Sequence, residues 1–402
     1  MMWQAPKGTR DFLPEEMEQR NAIFSKIRKV FKTYGYGEVA TPAFEDFELL
    51  AKKSGKEIKD EIYYFKDNDG RELGLRFDPT VPICRIVATN RSLPQPIKFC
   101  YITNMWRYDQ PRAGRWREFW QAGVELIGSA KPEADAEVLA LTSDILKAIG
   151  VKNFYIKISS RELIEKLVLG VGVEEVKKLD AFRAIDKLPK IGEKGVLEEL
   201  KKVGISTDTG KKLLKLIRTS KDFGKLTEIV KTAKKMGAEN LSIDLSVVRG
   251  IDYYTGFVFE TFVKGSEDIG SICSGGRYDT LIKLYGGQDL PATGFGMGVD
   301  RLMELLDKKE EFSYAKIFVA AVKDEVRETV LEIVKELRTG GVSTDFDISG
   351  RDLTKQFDYA SAKKIPYILI VGPREIKEKK FTLRNMKTGK EEKVTLKDLK
   401  TL

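Results

Sequence analysis

The residues best suited to chemistry are acids, amides and arginines that lie in or beside strand-like segments. In the segment Phe119–Ile127, strand alternation places Gln121, Gly123 and Glu125 on one face and apolar residues on the other. The glycine leaves a gap between an amide and a carboxylate, as a small polar binding site would require. An ordinary half-solvated strand shows the same alternation, so both interpretations stay open for this segment alone.

A run of arginines leads into this strand. Arg107 lies near the end of a largely apolar strand-like segment, Ile97–Tyr108, and the connecting loop carries Arg112, Arg115 and Arg117. A guanidinium can bind two phosphate oxygens at once, which a lysine cannot do, and an arginine in an apolar strand needs a partner. The pattern favours a phosphate-binding loop, with a basic surface hairpin that binds nothing as the alternative.

A glycine-rich strand, Thr293–Gly298, is the third candidate. Glycines at every second position leave one of its faces without side chains, so that a flat ligand could lie against the backbone. The helix that follows would carry Arg301 in its first turn. By itself, a Gly-x-Gly-x-Gly run indicates close packing more often than a nucleotide site.

Asp78 and Thr80 place an acid and a hydroxyl on a short bend after another strand. Either side chain could cap the helix that runs through Arg85, and without further context a cap is the favoured interpretation. The alternative is a pair that holds the ammonium group of a substrate.

The elements around these residues predict a layered core. Apolar spacing predicts an amphipathic helix from Pro14 to Tyr34, and the turn residues Asp67–Gly70 predict a small hairpin. The segments Ile97–Tyr108 and Glu118–Ile127 are neighbours in sequence, so we expect them to pair in an antiparallel sheet. Strand-like sequence runs again from Ile243 to Phe262.

The rest of the chain changes character twice. Residues 160–240 combine helix-period apolar positions with recurring lysine pairs, and beyond Phe312 strands alternate with helices. We therefore expect the α/β fold class: an α+β core with an antiparallel sheet in residues 1–159 and 241–312, a helical insertion at 160–240, and a mixed α/β domain at 315–402. A chain of 402 residues exceeds what one hydrophobic core usually holds.

Composition narrows the class of protein. A net charge of +9 favours a polyanionic partner. The chain has no apolar run of membrane-spanning length and no export signal, so we expect a cytoplasmic protein that does not enter a membrane. The three cysteines lie far apart, without zinc or redox spacing, so no protein-bound metal site is expected.

The chain contains no histidine. Its chemistry must therefore use carboxylates, arginines, lysines or groups of the substrate itself, because the commonest general base and metal ligand are missing.

In this order, the elements resemble the three signature motifs of class II aminoacyl-tRNA synthetases: a long helix with a strand at Pro42, the loop and strand from Arg107 to Glu125, and the glycine strand with Arg301. Three further segments resemble the histidyl-tRNA synthetases in particular. They are Pro6–Pro14, Val247–Glu260 and Gly275–Asp279. The resemblance spans essentially the whole chain and implies the antiparallel sheet of the class II synthetase type.

The resemblance assigns a role to each candidate residue. It implies that Asp78, Thr80 and Gln121 hold the amino group of the substrate L-histidine, and that Glu125, Tyr253 and Tyr254 hold its imidazole. It places Arg107 beside the α-phosphate and substrate carboxylate, Arg115 near the γ-phosphate of ATP, and Arg301 under the adenine and triphosphate. It places Arg249 against the α-phosphate, so that Arg249 and Arg107 are the expected catalytic residues and also belong to the expected histidine-binding set. Bacterial members usually have Glu at the position of Asp78 and often have Glu at the position of Asp109. The aspartates of this chain resemble the archaeal and eukaryotic branch instead.

The resemblance also implies partners. We expect ATP with Mg²⁺, tRNA(His) as the acceptor, a C-terminal anticodon-binding domain and a homodimer. For the lysine pairs of the insertion, a solvated helix face remains the favoured interpretation.

Two rival functions share parts of this pattern. A histidine-sensing regulatory subunit of ATP phosphoribosyltransferase would keep the core, but such proteins tend to lose residues of the Arg249 type and the C-terminal domain. Another class II synthetase would differ at Glu125 and in the run from Arg249 to Tyr254.

Overall fold

The computed structural model describes residues 3–54, 56–111, 114–248, 253–306 and 312–400. Two compact units make up the chain, Met1–Asp307 and Lys308–Leu402. No helix among the described residues is long and apolar enough to cross a membrane.

The first unit contains strands and helices in roughly alternating groups. Its strands are β1 Gly37–Glu38, β2 Phe44–Asp46, β3 Tyr64–Lys66, β4 Glu72–Leu75, β5 Ile97–Trp106, β6 Glu118–Ile127, β7 Phe154–Ser160, β8 Leu241–Ile243, β9 Phe257–Val263, β10 Cys273–Arg277 and β11 Ala292–Gly298. Its helices are α1 Pro14–Thr33, α2 Phe47–Ser54, α3 Thr80–Thr89, α4 Pro132–Ile149, α5 Arg161–Gly170, α6 Lys178–Asp186, α7 Leu188–Lys202, α8 Thr207–Thr219, α9 Lys225–Lys235, α10 Leu281–Leu284 and α11 Val299–Leu305.

Most of these strands form one large sheet in the order β1-β5-β6-β11-β10-β9-β7-β8. The six central strands are antiparallel, while β1 and β8 join the two edges in parallel. The predicted antiparallel pairing of β5 with β6 is confirmed, and so is the α/β fold class. Strands β2, β4 and β3 form a small separate sheet that contains the predicted hairpin at Asp67–Gly70.

The two faces of the large sheet carry different layers. Ala122, Val124 and Leu126 of β6 are buried in one core with α1 and α4, as their alternation predicts. On the other face, Tyr101 and Ile127 pack in a second core with Ile83 of α3. The polar residues of β6 lie on this second side of the sheet.

The prediction of continuous strand from Ile243 to Phe262 is wrong. The chain forms two strands, β8 and β9, and turns away after Ile243. The Asp244 carboxylate accepts hydrogen bonds from the amide and hydroxyl of Ser246. The backbone carbonyl of Asp244 accepts from the amide of Val247. These local bonds compete with a strand ladder and begin a loop, of which residues 249–252 lie outside the described residues.

The second unit begins with the predicted β-α-β pattern. Its elements are β12 Ile317–Ala321, α12 Arg327–Thr339, β13 Thr344–Phe346, α13 Leu353–Ala362, β14 Tyr367–Val371, α14 Pro373–Glu378, β15 Phe381–Asn385, β16 Glu391–Val394 and α15 Leu396–Leu399. Strand β12 pairs in parallel with both β13 and β14. The antiparallel pair β15–β16, which sequence reasoning did not anticipate, completes a five-stranded sheet.

Candidate active site

A cavity of about 260 Å³ opens on the polar face of the large sheet. Nine of the ten residues assigned by sequence lie in its lining: Asp78, Thr80, Arg107, Arg115, Gln121, Glu125, Tyr253, Tyr254 and Arg301. The tenth, Arg249, lies outside the described residues, as does Arg112. Segments from four distant parts of the chain therefore meet at one cavity.

Glu125 is the most deeply buried acid of this cavity, at 2% exposure. The Thr80 hydroxyl donates to its Oε1 over 2.8 Å, and the Tyr278 hydroxyl donates to its Oε2. Gly294 lies opposite on β11, where any side chain would collide with the carboxylate. The glycine therefore makes room for an acid whose two oxygens are both held by hydroxyl donors.

Asp78 and Thr80 serve the local structure as well as the cavity. The Asp78 Oδ1 accepts from the amide of Val81 over 3.1 Å, so Asp78 satisfies an amide of the first helical turn as expected, although the N-cap position itself is Pro79. Both residues also line the cavity. The start of α3 thus fixes an acid and a hydroxyl where a ligand can reach them.

The gap expected at Gly123 is filled. Tyr101 lies opposite Gly123 on β5, and its hydroxyl occupies the space where a side chain of residue 123 would lie. The phenol donates to the Phe295 carbonyl over 3.3 Å. Open space lies instead at Gly296, where an added Cβ would approach the Gln121 amide and the Tyr101 hydroxyl no closer than 3.5 Å.

Three tyrosines form an aromatic wall. The Tyr253 ring lies 4.8 Å from that of Tyr254 and 5.8 Å from that of Tyr278, measured between ring centroids. Burial raises the pKa of Tyr253 and of Tyr278 well above the ordinary value, and nearby Tyr254 and Glu125 add to the effect. These phenols therefore stay protonated at neutral pH and can donate hydrogen bonds.

Arg107 follows directly after β5. Its Nε donates to the Phe77 carbonyl over 3.0 Å, and its guanidinium lies 5.1 Å from the centroid of the Phe119 ring. Burial lowers the pKa of Arg107, while Asp78 and Asp109 raise it. The group remains a cation, since arginine starts far above neutral pH.

The other two cavity arginines already have partners. Arg115 pairs with Asp109, with 2.7 Å between Nη2 and Oδ2. Arg301 donates to the carbonyls of Gly114, over 3.2 Å, and Ser271. Helix α11 therefore contacts, at Gly114, the loop between β5 and β6 (residues 107–117, called the arginine loop below). An incoming phosphate would compete with protein oxygens for both cations.

Sequence reasoning missed Tyr101, Tyr278, Trp116 and Asp300 as cavity residues. Tyr278 lies in the quoted segment Gly275–Asp279, which was the available signal for it. For Asp300 the available signal was its position directly before Arg301. Nothing in the sequence around Tyr101 indicates that it fills the gap at Gly123.

The chain matches two family models, Histidyl-tRNA synthetase over residues 8–302 and Anticodon binding domain over residues 316–402. It is 39% identical to Histidine--tRNA ligase of Thermococcus kodakarensis, over 96% of this chain and 95% of that protein. Among solved structures, it is similar to histidyl-tRNA synthetase from Nostoc, with a TM-score of 0.85, 26% identity, and coverage of 100% of this chain and 99% of that one.

A third structure bears on the rival function. The chain resembles an ATP phosphoribosyltransferase regulatory subunit/histidyl-tRNA synthetase from Bacillus halodurans with a TM-score of 0.78 and 27% identity. That alignment covers 92% of this chain and 99% of the other. A family model that matches residues 8–302, together with a near full-length relative at 39% identity, decides the question of family. This chain belongs to the histidyl-tRNA synthetase family.

Proposed function

We propose that the cavity binds L-histidine and ATP side by side, joins them as histidyl-adenylate, and passes the histidyl group to tRNA(His). One observation supports this best: a buried carboxylate held by two hydroxyl donors shares its cavity with three arginines. The carboxylate suits a ring N–H, and the arginines suit a triphosphate.

Hydrogen-bonding capacity supports the assignment of the amino group. A hydroxyl has one donor and two acceptor positions, and Thr80 uses its donor on Glu125. Its lone pairs are therefore suited to the ammonium of histidine. Asp78 accepts from the Val81 amide, and its carboxylate is chemically suited to the same ammonium, with the Gln121 amide as the third contact.

The imidazole would lie between Glu125 and the tyrosines. A neutral imidazole has one N–H donor and one nitrogen acceptor, which match a carboxylate and a protonated phenol. The raised pKa of Tyr253 keeps that phenol in its donor form. Amino acids without ring nitrogens would leave these buried groups unpaired, at a cost of about 1–3 kcal/mol for each lost bond.

The triphosphate would be held by Arg107, Arg115 and Arg301. Arg115 would exchange its bond with Asp109 for a phosphate oxygen. The Asp109 carboxylate, which lines the same cavity, would then help to hold Mg²⁺ with the nucleotide. The Mg²⁺ would neutralise phosphate charge. Beyond that, positioning by the arginines carries the reaction.

Activation needs no protein base. The histidine carboxylate is already an anion, and its oxygen forms a bond to the α-phosphorus as the bond to pyrophosphate breaks. We assign Arg249 to the charge that grows on the α-phosphate, on the basis of the family resemblance of its segment. This assignment fits a chain without histidine, since it uses charge neutralisation rather than proton transfer.

Transfer follows at the same site. A ribose hydroxyl of the tRNA end attacks the carbonyl carbon of the adenylate, and AMP leaves. We infer that a non-bridging phosphate oxygen of the adenylate takes the hydroxyl proton, because no histidine is available. Replacing that oxygen by sulfur should slow single-turnover transfer, and an unchanged rate would contradict the inference.

The remaining assignments concern organisation. We take residues 1–159 and 241–312 as the catalytic core, 160–240 as a helical insertion and 315–402 as the domain that binds the anticodon. We expect a homodimer through α1 and the Pro42 segment. A cytoplasmic location agrees with Cys84, Cys100 and Cys273, which form no disulfide.

Pyrophosphate exchange separates the candidate functions. The assay measures ATP formed from labelled pyrophosphate when each amino acid of a panel is supplied with the full chain. Exchange with histidine alone supports the proposal. Exchange with another amino acid would identify a different synthetase, and no exchange with any would favour the histidine-sensing regulator.

A further inference from the structure

The N-terminal segment Pro6–Phe12 contacts the active-site cavity through Arg10. The Arg10 Nη2 donates to the Asp300 Oδ1 over 3.1 Å, although the two residues lie 290 positions apart. Asp300 is 4% exposed and lines the cavity. An arginine near the start of the chain thus pairs with an acid at the start of α11.

Asp300 joins the two halves of the cavity. Its Oδ2 accepts from the backbone amide of Trp120 on β6 over 2.6 Å. Trp120 directly precedes Gln121, which we assign to histidine, and Asp300 directly precedes Arg301, which we assign to ATP. The Asp300 carboxylate is therefore a short link between the backbones that carry the two subsites.

The segment Pro6–Phe12 also binds the C-terminal end of the arginine loop. The Gly8 carbonyl accepts from the Arg117 amide over 2.7 Å. Gly8 has φ of +85°, and an added Cβ would lie 2.6 Å from Arg117 Cγ, so this close approach requires glycine. The Arg10 guanidinium also lies 4.9 Å from the Trp116 ring centroid, and Trp116 lines the cavity.

The arginines around Phe12 lower the stability of the folded protein in two ways. The guanidiniums of Arg10 and Arg20 both pack against the Phe12 ring, each 4.2 Å from its centroid. Burial lowers the pKa of Arg20; Asp300 opposes this, and the nearby Arg10 charge adds to it. The Arg10 Nε, the Arg20 Nε and the Trp116 Nε1 are buried with no acceptor among the described residues.

Buried donors without acceptors cost free energy, and apolar side chains of similar size often replace a buried ion pair without loss of stability. Packing therefore gives little reason to keep two arginines here. A role in setting the geometry of the cavity would explain why both arginines are present.

We propose that Arg10 and Asp300 form a positioning pair, which sets the placement of Arg301 and the arginine loop relative to the histidine face of β6. The proposal rests on the proposed positions of histidine and ATP. Both Asp300 oxygens already accept hydrogen bonds from the protein, so we assign the pair to neither substrate. It acts by fixing the groups that contact substrate, so its loss should affect ATP use and turnover while histidine binding stays nearly unchanged.

The test compares Arg10→Ala, Asp300→Asn and the double variant in histidine-dependent pyrophosphate exchange. Each single change should lower kcat about tenfold and raise the KM for ATP, with the KM for histidine within about twofold of wild type. The double variant should lose no more than the worse single variant, because the two residues act as one unit. Asp300→Asn keeps an acceptor for the Trp120 amide, so it carries the test if Arg10→Ala does not fold.

Arg85→Ala is the matched control. Arg85 pairs with Glu45 over 2.7 Å, with side-chain exposures of 33% and 8%, close to the 26% and 5% of Arg10 and Asp300. It does not line the cavity. The control should lower Tm as much as Arg10→Ala while kcat and the KM for ATP stay within about twofold of wild type.

Equal kinetic losses in Arg10→Ala and Arg85→Ala would overturn the proposal, as would additive losses in the double variant. Arg301→Ala separates this failure from failure of the proposed ATP site. A raised KM for ATP in Arg301→Ala with normal kinetics in Arg10→Ala would contradict the positioning pair alone. A normal KM for ATP in Arg301→Ala would contradict the ATP placement on which the pair depends.

Discussion

The Tyr278 hydroxyl donates a hydrogen bond to the Glu125 carboxylate across 153 residues of sequence. Both side chains are 2% exposed, and the Thr80 hydroxyl donates to the other oxygen of the same carboxylate. Glu125 thus has a fixed orientation before any ligand arrives. Preorganisation of this kind lowers the free-energy cost of binding a small polar group.

Tyr278→Phe removes only the hydroxyl from this arrangement. The ring still fills its buried position, but one carboxylate oxygen loses its donor. We expect the KM for histidine to rise about tenfold, equivalent to about 1.4 kcal/mol, while the KM for ATP changes little. Pyrophosphate exchange at varied histidine and ATP checks both values, and an equal rise in the two would indicate a general loss of structure instead.

Gly296→Ala tests whether a substrate lies against the glycine strand. An added Cβ would meet the nearest atoms at 3.5 Å, an ordinary contact, so the fold should tolerate it. We expect Tm to stay within a few degrees of wild type and the KM for histidine to rise at least about tenfold, because the methyl group fills space beside Gln121.

Gly298→Ala provides the comparison on the ATP side. There the added Cβ would lie 3.6 Å from the Arg301 Cδ. The KM for ATP should rise more than the KM for histidine. If both alanine variants keep wild-type KM values for both substrates, no substrate contacts this strand.

The pH dependence of histidine use should follow the substrate. The chain has no histidine, and burial raises the pKa of Tyr253 and Tyr278, so neither phenol loses its proton near neutral pH. With a neutral imidazole and a charged ammonium bound, kcat/KM for histidine should be highest at roughly pH 7.5, fall about tenfold per unit well below pH 6 as the free imidazole protonates, and fall again at alkaline pH as the free substrate ammonium loses its proton. A kcat/KM that still rises as the pH falls below about 6 would show that the imidazolium is bound.

Arg249→Ala tests the assigned catalytic cation. If Arg249 neutralises charge that grows only in the transition state, kcat for exchange should fall about a hundredfold or more, while the dissociation constant for histidine stays within a few fold. Exchange kinetics and equilibrium binding measure the two quantities separately. Equal losses in both would mean that Arg249 contributes to ground-state binding.

Much of the site could be predicted because strand alternation is local. Ala122 and Val124 are fully buried and Gln121 and Glu125 line the cavity, as the period of two requires. The glycine strand and the position of Arg301 in the first turn of α11 also followed from local pattern. These features depend on residues close together in sequence.

The errors depend on register and on competing local bonds. Tyr101 fills the gap at Gly123 because β5 and β6 pair in one register, which alternation alone does not specify. The turn at Asp244 interrupts a segment of strand-like composition, since its carboxylate bonds to Ser246. The Arg10–Asp300 pair joins the two ends of the first unit, and no local pattern could indicate it.

Glu125→Gln tests the central claim, that this carboxylate recognises the imidazole of histidine by accepting a hydrogen bond from it. The amide keeps the size of the side chain but loses its charge, and its NH₂ group would face one of the two hydroxyl donors. The measurement is kcat/KM for histidine in pyrophosphate exchange, with Tm as the control for folding. We expect a loss of about a hundredfold or more with a small change in the KM for ATP. A wild-type kcat/KM for histidine in a folded Glu125→Gln variant would contradict the account.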